Sequence, residues 1–169
     1  MLDNANKYTY ELKNLYLDTW YDDKYKFYYA CGYSEEPHYS DSNLGRHDFV
    51  SLDKNGNIIG YISYGILRYE YYAHNLSIVN FSDNILTFGR DLREVISNIF
   101  EKYNLRKLQF MVVVGNPIEK SYDKLIQKYG GRIVGEYQKH RRLIDGNFYN
   151  AKAYEIFRED YLANIRKAV

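Results

Sequence analysis

The residues best suited to chemistry lie in a short stretch, Thr87 to Asp91, directly ahead of a helical apolar stripe. Threonine or aspartate can cap a helix through a side-chain oxygen, and glycine lets a ligand approach the backbone closely. The unpaired N–H groups of a first helical turn, together with the helix dipole, form a binding site for an anion. We therefore predict a phosphate site here, with Thr87 or Asp91 as the cap and Gly89 at the closest approach.

An amphipathic helix and a buried strand position this anion site. The helix is predicted from apolar residues at i, i+3, i+4, i+7, i+8 and i+11, namely Leu92, Val95, Ile96, Ile99, Phe100 and Tyr103. The run from Leu108 to Val114 is nearly all apolar, which predicts a strand that stops at Gly115 and Asn116. A second amphipathic helix starts at Pro117 and ends at the Gly130-Gly131 pair.

Turn residues divide the rest of the chain. An Asn-Gly pair at Asn55 and an Asp-Gly pair at Asp145 each separate two apolar runs, which is a strong hairpin signal. The predicted strands are Asp48 to Leu52, Ile58 to Leu67, Tyr72 to Phe81, Arg132 to Ile144 and Phe148 to Phe157. The last residues, from Arg158, form a short helix or a frayed tail. The first 46 residues are predicted to hold two short helices, the second capped by Thr19 and ended by Cys31-Gly32, and then a loop from Ser34 to Arg46.

This order of elements predicts a mixed α/β fold of the α+β type. A helix between two strands implies a parallel pair, and hairpins imply antiparallel pairs, so the sheet is mixed with helices on both faces. The whole chain of 169 residues is predicted to be one domain, residues 1–169.

Composition excludes several classes of protein. The net charge of +1 gives no field that would attract nucleic acid or an acidic membrane surface. The single cysteine, Cys31, cannot form an internal disulfide, which fits a reducing compartment. No long apolar run and no signal-peptide pattern is present, so we expect a cytoplasmic protein without a membrane anchor.

Three local features, taken with the order of elements, resemble the GNAT superfamily of N-acetyltransferases. The first is the hairpin and third strand that lead into the turn from Asn84 to Leu92. The second is the apolar strand ending in Gly115-Asn116. The third is the helix closing on Gly130-Gly131, followed by Arg132 to Gly135 and the hairpin turn from Leu143 to Tyr149. The resemblance covers about Asp48 to Phe157, and it implies a three-layer fold with a central, mostly antiparallel sheet flanked by helices.

The resemblance also implies acetyl-CoA as cofactor. The strand from Leu76 to Phe81 would hold the pantetheine arm by backbone hydrogen bonds, with Ile78 and Val79 at its centre. The diphosphate would lie on the backbone of Thr87, Phe88, Gly89, Arg90, Asp91 and Leu92. In the family the diphosphate binds to a turn with the pattern Gln/Arg-x-x-Gly-x-Gly/Ala. In this sequence Asn84 takes the Gln/Arg position, and Gly89 is the one glycine of the pattern that remains. Asn116 would help to hold the pantetheine or an ordered water.

Catalytic roles follow from the chemistry of acetyl transfer to an amine, which needs a base and an acid for the departing thiolate. The acid implied by the resemblance is a tyrosine, and we assign it to Tyr122, one turn before the family's usual position. The base is predicted to be Glu70 or His74, although each could instead be an ordinary surface residue. His38 and His47 are nine residues apart without a Cys-x-x-Cys motif, so no metal site is predicted.

The sequence therefore predicts an N-acetyltransferase that transfers the acetyl group of acetyl-CoA to an amine by direct transfer in a ternary complex. The alternative is a GNAT-shaped domain that has lost catalysis and serves as a binding or interaction module. We expect a small-molecule or peptide amine as substrate, no nucleic acid and no membrane partner. The aromatic content permits a homodimer.

Overall fold

An eight-stranded sheet forms the middle layer of the computed structural model, which describes residues 1–19, 22–28 and 38–167. The strands are β1 (Leu2–Asn4), β2 (Asp41–Ser42), β3 (Arg46–Leu52), β4 (Ile58–Leu67), β5 (Tyr72–Asn80), β6 (Lys107–Val113), β7 (Arg132–Arg142) and β8 (Phe148–Phe157). Their spatial order is β1-β3-β4-β5-β6-β8-β7, with β2 paired to β3. Within the described residues the β5–β6 pair is parallel and the other pairs are antiparallel, which confirms a mixed, mostly antiparallel sheet.

Helices cover both faces of the sheet. They are α1 (Thr9–Thr19), α2 (Ile85–Ser97), α3 (Glu119–Tyr129) and α4 (Arg158–Lys167), and a π-helical turn, Asn98–Lys102, extends α2. Two apolar clusters separate the three layers. The larger one packs α2, α3 and α4 against one face, and the smaller one packs α1 against β3, β4 and the end of β5. The predicted three-layer arrangement is therefore confirmed.

The amino-terminal part differs from its prediction. In place of a second helix, Asp23–Tyr25 forms a single 3-10 turn, capped by Asp22, whose carboxylate accepts a hydrogen bond from the Lys24 N–H at 2.9 Å. Thr19 ends α1 and donates to the Tyr16 carbonyl, so its predicted role as a cap is wrong. Strand β1, which pairs with β3, was not predicted. The predicted helix end at Cys31-Gly32 and the first residues of the predicted loop, 34–37, lie outside the described residues.

The helix cap at the start of α2 is also different. Asn84 caps the helix by accepting a hydrogen bond from the Thr87 N–H at 3.3 Å, so the prediction of Thr87 or Asp91 as the cap is wrong. Asp91 instead lies buried, where its carboxylate accepts from the Ser51 hydroxyl (2.7 Å) and the Met1 amino group (2.9 Å). Burial raises the pKa of Asp91, but these hydrogen bonds and those from Arg90 outweigh it and hold the pKa below its ordinary value.

Helix α2 lies close to the sheet because Gly60 on β4 leaves room for Phe88. A Cβ built on Gly60 would lie 2.2 Å from the Phe88 ring and 2.9 Å from the Val79 carbonyl oxygen. Such contacts require the helix or the strand to shift. The glycine therefore sets the distance between α2 and the sheet.

We expect the substitution Gly60→Ala to lower the free energy of unfolding by about 1–3 kcal/mol, because it overpacks a buried contact. Urea denaturation measures this change. Gly45→Ala is the matched control, since a Cβ at Gly45 meets no described atom within 4 Å. Equal stabilities for the two variants would contradict the packing role of Gly60.

Candidate functional site

The central feature of the site is a divergence between β5 and β6. Within the described chain the two strands pair at Tyr72–His74 with Lys107–Gln109. Beyond that point β5 continues beside β4 as far as Asn80, while β6 continues beside β8 as far as Val113. The carboxyl ends of the two strands therefore separate and leave an opening, the usual ligand position in open sheets with parallel strands.

A bulge in β5 marks the start of this divergence. Asn75 has a left-handed φ of 52°, and the register between β4 and β5 shifts there. Beyond the bulge, the N–H and C=O groups of successive β5 residues face alternately towards β4 and towards the opening. Since the Phe81 N–H donates to the Ile59 carbonyl on β4, the N–H and C=O groups of Ile78 and Asn80 face the opening. The predicted binding strand thus presents the backbone of Ile78 to the opening, whereas Val79 presents its backbone to β4.

The first turn of α2 lies at one side of the opening. Three of its amides are already hydrogen-bonded: Ile85 to the Asp83 carbonyl, Thr87 to the Asn84 side chain and Phe88 to the Asn84 carbonyl. The Phe88 bond is the first main-chain bond of the helix, so the amides that an anion could take over are those of Ile85 and Thr87, whose partners lie outside the helical pattern.

Gly89 lies inside α2, four residues after its first residue. A Cβ at this position would meet no described atom within 4 Å, so the space beside its backbone is open. Its φ is not in the positive range, and glycine inside a helix is less favourable than alanine by about 0.5–1 kcal/mol. Neither backbone conformation nor packing against the described residues explains this glycine.

Of the other residues predicted to bind the diphosphate, some lie in the core and some at the surface. Phe88 and Asp91 are buried, and Leu92 packs against the core, so their side chains are directed into the protein. Arg90 is exposed and lies 3.1 Å from the Asp91 carboxylate. The neighbouring Arg93 is exposed as well.

Tyr122 lies on the first turn of α3 and is buried. Its ring contacts Phe110 of β6 and Tyr154 of β8, with centroids 5.1 and 6.1 Å away. Burial, with a smaller contribution from the neighbouring Tyr28 hydroxyl, raises the pKa of Tyr122 well above the ordinary range. The phenol therefore keeps its proton at neutral and mildly alkaline pH.

Asn116 builds the turn that follows β6. Its side-chain oxygen accepts a hydrogen bond from the Ile118 N–H at 3.1 Å, and its carbonyl accepts from the Glu119 N–H at 2.9 Å. Glu119 closes the same turn by accepting from the Gly115 N–H and by pairing with Lys152. The turn fixes where β6 ends beside the opening.

The two predicted bases lie at different distances from the opening. Glu70 is exposed in the turn before β5, at the far end of the strand from α2, and its carbonyl accepts from Arg106. His74 is the last β5 residue that pairs with β6, and its imidazole lies over Gly65, 2.5 Å from where a Cβ would be. Burial lowers the pKa of His74, which favours the neutral base. The fold thus brings His74 to the divergence and leaves Glu70 away from it.

A polar row, not predicted from the sequence, leads to the opening on the α1 side. Asp48, Ser63 and Ser77 lie directly opposite one another on β3, β4 and β5. Asp48 is buried and accepts hydrogen bonds from the Tyr61 hydroxyl and, at 2.9 Å, from Arg46. The available signal was an aspartate and a serine inside otherwise apolar strands, because polar groups buried in strands need partners.

Residues 1–19, 22–28 and 38–167 lack two further classes of site. No helix there is long and apolar enough to cross a membrane. No cluster of three or more histidine, cysteine, aspartate or glutamate side chains there could hold a metal ion.

Comparison with known proteins gives a structural match without a sequence match. No protein-family profile and no curated protein matches the chain. The spermidine N-acetyltransferase of Vibrio cholerae, in complex with CoA and spermine, aligns with a TM-score of 0.70 and 20% identity over 96% of this chain and 97% of that one. A protein named "Probable acetyltransferase" aligns with a TM-score of 0.70 and 16% identity, covering 91% and 89%.

The fold is that of the GNAT N-acetyltransferases. The resemblance seen in the sequence is thereby confirmed at the level of the fold. Identities of 16% and 20% establish the fold alone, so the activity is argued from the site itself.

Proposed function

We propose that this chain is an N-acetyltransferase that moves the acetyl group of acetyl-CoA directly to an amine. The observation that carries the proposal is Gly89, a glycine inside α2 with open space beside its backbone, next to the opening between β5 and β6. A diphosphate needs a close approach to backbone N–H groups at a helix start, and a bulky side chain at this position would prevent it.

The residues present fit a coenzyme of this shape. The backbone groups of Ile78 and Asn80 that face the opening would hold a pantetheine arm as a neighbouring strand would. The first turn of α2, with the Thr87 amide, would hold the diphosphate beside the open backbone at Gly89, and Arg90 and Arg93 would add positive charge. Asn116 would contribute indirectly, because the turn that it forms fixes the end of β6 beside the coenzyme.

The coenzyme would supply a thioester, and the residues of this chain would manage the protons. His74, neutral and at the divergence, is the proposed acceptor of the proton that the amine loses as its nitrogen bonds to the carbonyl carbon. Tyr122 is the proposed donor of a proton to the sulfur as the carbon–sulfur bond breaks. Glu70 stays a weaker proposal, because it lies at the far end of β5.

A second candidate function is a GNAT-shaped binding module without catalysis. It is favoured by the hydrogen bond from the Thr87 N–H to the Asn84 side chain, which already satisfies one amide of the proposed phosphate site. Such a module would bind the coenzyme or a partner and show no turnover.

Acetyl-CoA is expected to raise the melting temperature of the protein. A ligand at 100 times its dissociation constant adds about 2.7 kcal/mol to the free energy of unfolding. Thermal unfolding with millimolar acetyl-CoA, against acetyl phosphate as a control, measures this effect. No stabilisation at that concentration would contradict both the cofactor and the enzyme.

Turnover separates the two candidate functions. Release of free thiol from acetyl-CoA is measured with a panel of amines, headed by spermidine and spermine because a structural neighbour was solved with spermine. Binding with amine-dependent thiol release supports the enzyme. Binding without release for any amine supports the binding module.

A further inference from the structure

A lysine on β8 lies between two carboxylates of α3. The Lys152 ammonium pairs with the Glu119 carboxylate and lies 3.8 Å from the carboxylate of Asp123. Glu119 and Asp123 are four residues apart, so they lie on the same side of the helix. The side chains of Lys152 and Glu119 are only 17% and 18% exposed, so water screens this ion pair far less than a pair on the open surface.

The ion pair also reaches the end of β6. The second oxygen of the Glu119 carboxylate accepts a hydrogen bond from the Gly115 N–H at 3.0 Å. Gly115 has a left-handed φ of 90° and lies in the turn that joins β6 to α3. The hydrogen bond from Lys152 is the main cause that lowers the pKa of Glu119, and the same bond raises the pKa of Lys152. Both partners therefore stay charged, and they connect β8, α3 and the end of β6.

The same face of β8 makes a second contact with α3. Tyr154 lies two residues after Lys152, and its hydroxyl donates a hydrogen bond to the Asp123 carboxylate at 2.8 Å. Tyr122, the proposed acid, directly precedes Asp123 and contacts the Tyr154 ring, with centroids 6.1 Å apart. The two carboxylates that β8 holds thus flank Tyr122 along α3.

We propose that Lys152 is a positioning residue, which fixes Tyr122 relative to the end of β6 and so sets the geometry of proton transfer to the departing sulfur. This inference rests on the proposed function, because Tyr122 is the proposed acid of that reaction. Without the ammonium, Glu119 and Asp123 would be like charges one helical turn apart, and the start of α3 would have to move. A misplacement of about 1 Å at a reacting group costs about 100-fold in rate.

The test is the substitution Lys152→Met, which keeps most of the side-chain length and removes the charge. At saturating acetyl-CoA and amine, kcat should fall by about 10–100-fold with little change in the KM for acetyl-CoA, because Tyr122 acts in the transfer step and not in coenzyme binding. Lys152→Arg keeps the cation and should retain most of the wild-type kcat. Glu119→Gln keeps an acceptor for the Gly115 N–H but breaks the ion pair, so it should also lower kcat.

Lys107→Met is the matched control. The Lys107 side chain is 15% exposed, and its ammonium lies 3.3 Å from the Glu155 carboxylate, at the opposite end of β6 from Gly115. The loss of either lysine should lower the free energy of unfolding, which urea denaturation measures. Only the loss of Lys152 should lower kcat.

The outcomes separate this proposal from the proposed function. A lower kcat in Lys152→Met and Glu119→Gln, with recovery in Lys152→Arg and the wild-type kcat in Lys107→Met, would support the positioning role. Three results would overturn that role and leave an active wild type as an acetyltransferase: an unchanged kcat in Lys152→Met, an equal loss in the two methionine variants, or no higher kcat in Lys152→Arg than in Lys152→Met. If Lys152→Met does not fold, an unchanged kcat in Glu119→Gln overturns the role and a lower one supports it. The absence of thiol release by the wild type with every amine would overturn both proposals.

Discussion

Replacing Gly89 by leucine is expected to abolish acetyl-CoA binding, with a loss of affinity of at least about 100-fold, while the protein stays folded. The reason is geometric. The open space beside Gly89 is where the proposal places the diphosphate, and a leucine side chain would fill it. Leucine is a good helix former, so α2 should lose no stability. Calorimetric titration with acetyl-CoA and urea denaturation measure the two quantities.

The substitution Gly89→Ala is the control for this prediction. A single methyl group fits the open space, and it should raise the free energy of unfolding by about 0.5–1 kcal/mol through the better helix propensity of alanine. It should weaken binding far less than leucine does. If Gly89→Leu binds acetyl-CoA as the wild type does, the diphosphate does not lie at this turn and the proposed site is misplaced.

Removing the Tyr122 hydroxyl by the change Tyr122→Phe is expected to lower kcat by about 100-fold or more with little effect on KM. Loss of a positioned general acid has an effect of this size. The ring keeps its contacts with Phe110 and Tyr154, so the core should stay packed. Because the pKa of Tyr122 is raised, the wild type should keep its activity at alkaline pH through the ordinary range of tyrosine ionisation.

Tyr129→Phe is the matched control, since Tyr129 is buried on the same helix and its ring contacts Tyr161 of α4. This variant should keep the kcat of the wild type. An unchanged kcat for Tyr122→Phe, measured with the same acceptor amine, would remove Tyr122 from the chemistry. A fall in kcat for both variants would point to a general loosening of α3.

Local signals account for the parts of the fold that the sequence predicts well. Strands β4 and β8 begin and end where they were predicted, because an Asn-Gly or Asp-Gly turn fixes the start of each one. The start of α2 was misplaced because Asn84 and Thr87 are both good capping residues and the local pattern does not rank them. In the structure Asn84 is the N-cap, and α2 begins at Ile85.

Long-range contacts account for what the sequence could not predict. Asp91 was read as a residue of the phosphate site, yet its partners are Ser51 and the Met1 amino group, 40 and 90 positions away. Gly89 was predicted to lie in a turn ahead of the helix, whereas it lies inside α2, and its contact with a phosphate stays a prediction.

The short ladder between β5 and β6 has a mechanical consequence. The sheet is continuous in the order of its strands, yet the β5–β6 ladder that joins its two halves has only three residue pairs within the described chain. Cohesion across this midline therefore comes mainly from side chains in the layer beneath, where α2 and α3 pack together with β5 and β6. A pantetheine arm bound along β5 would behave as a short substitute strand and would restore the lateral continuity that the polypeptide itself interrupts.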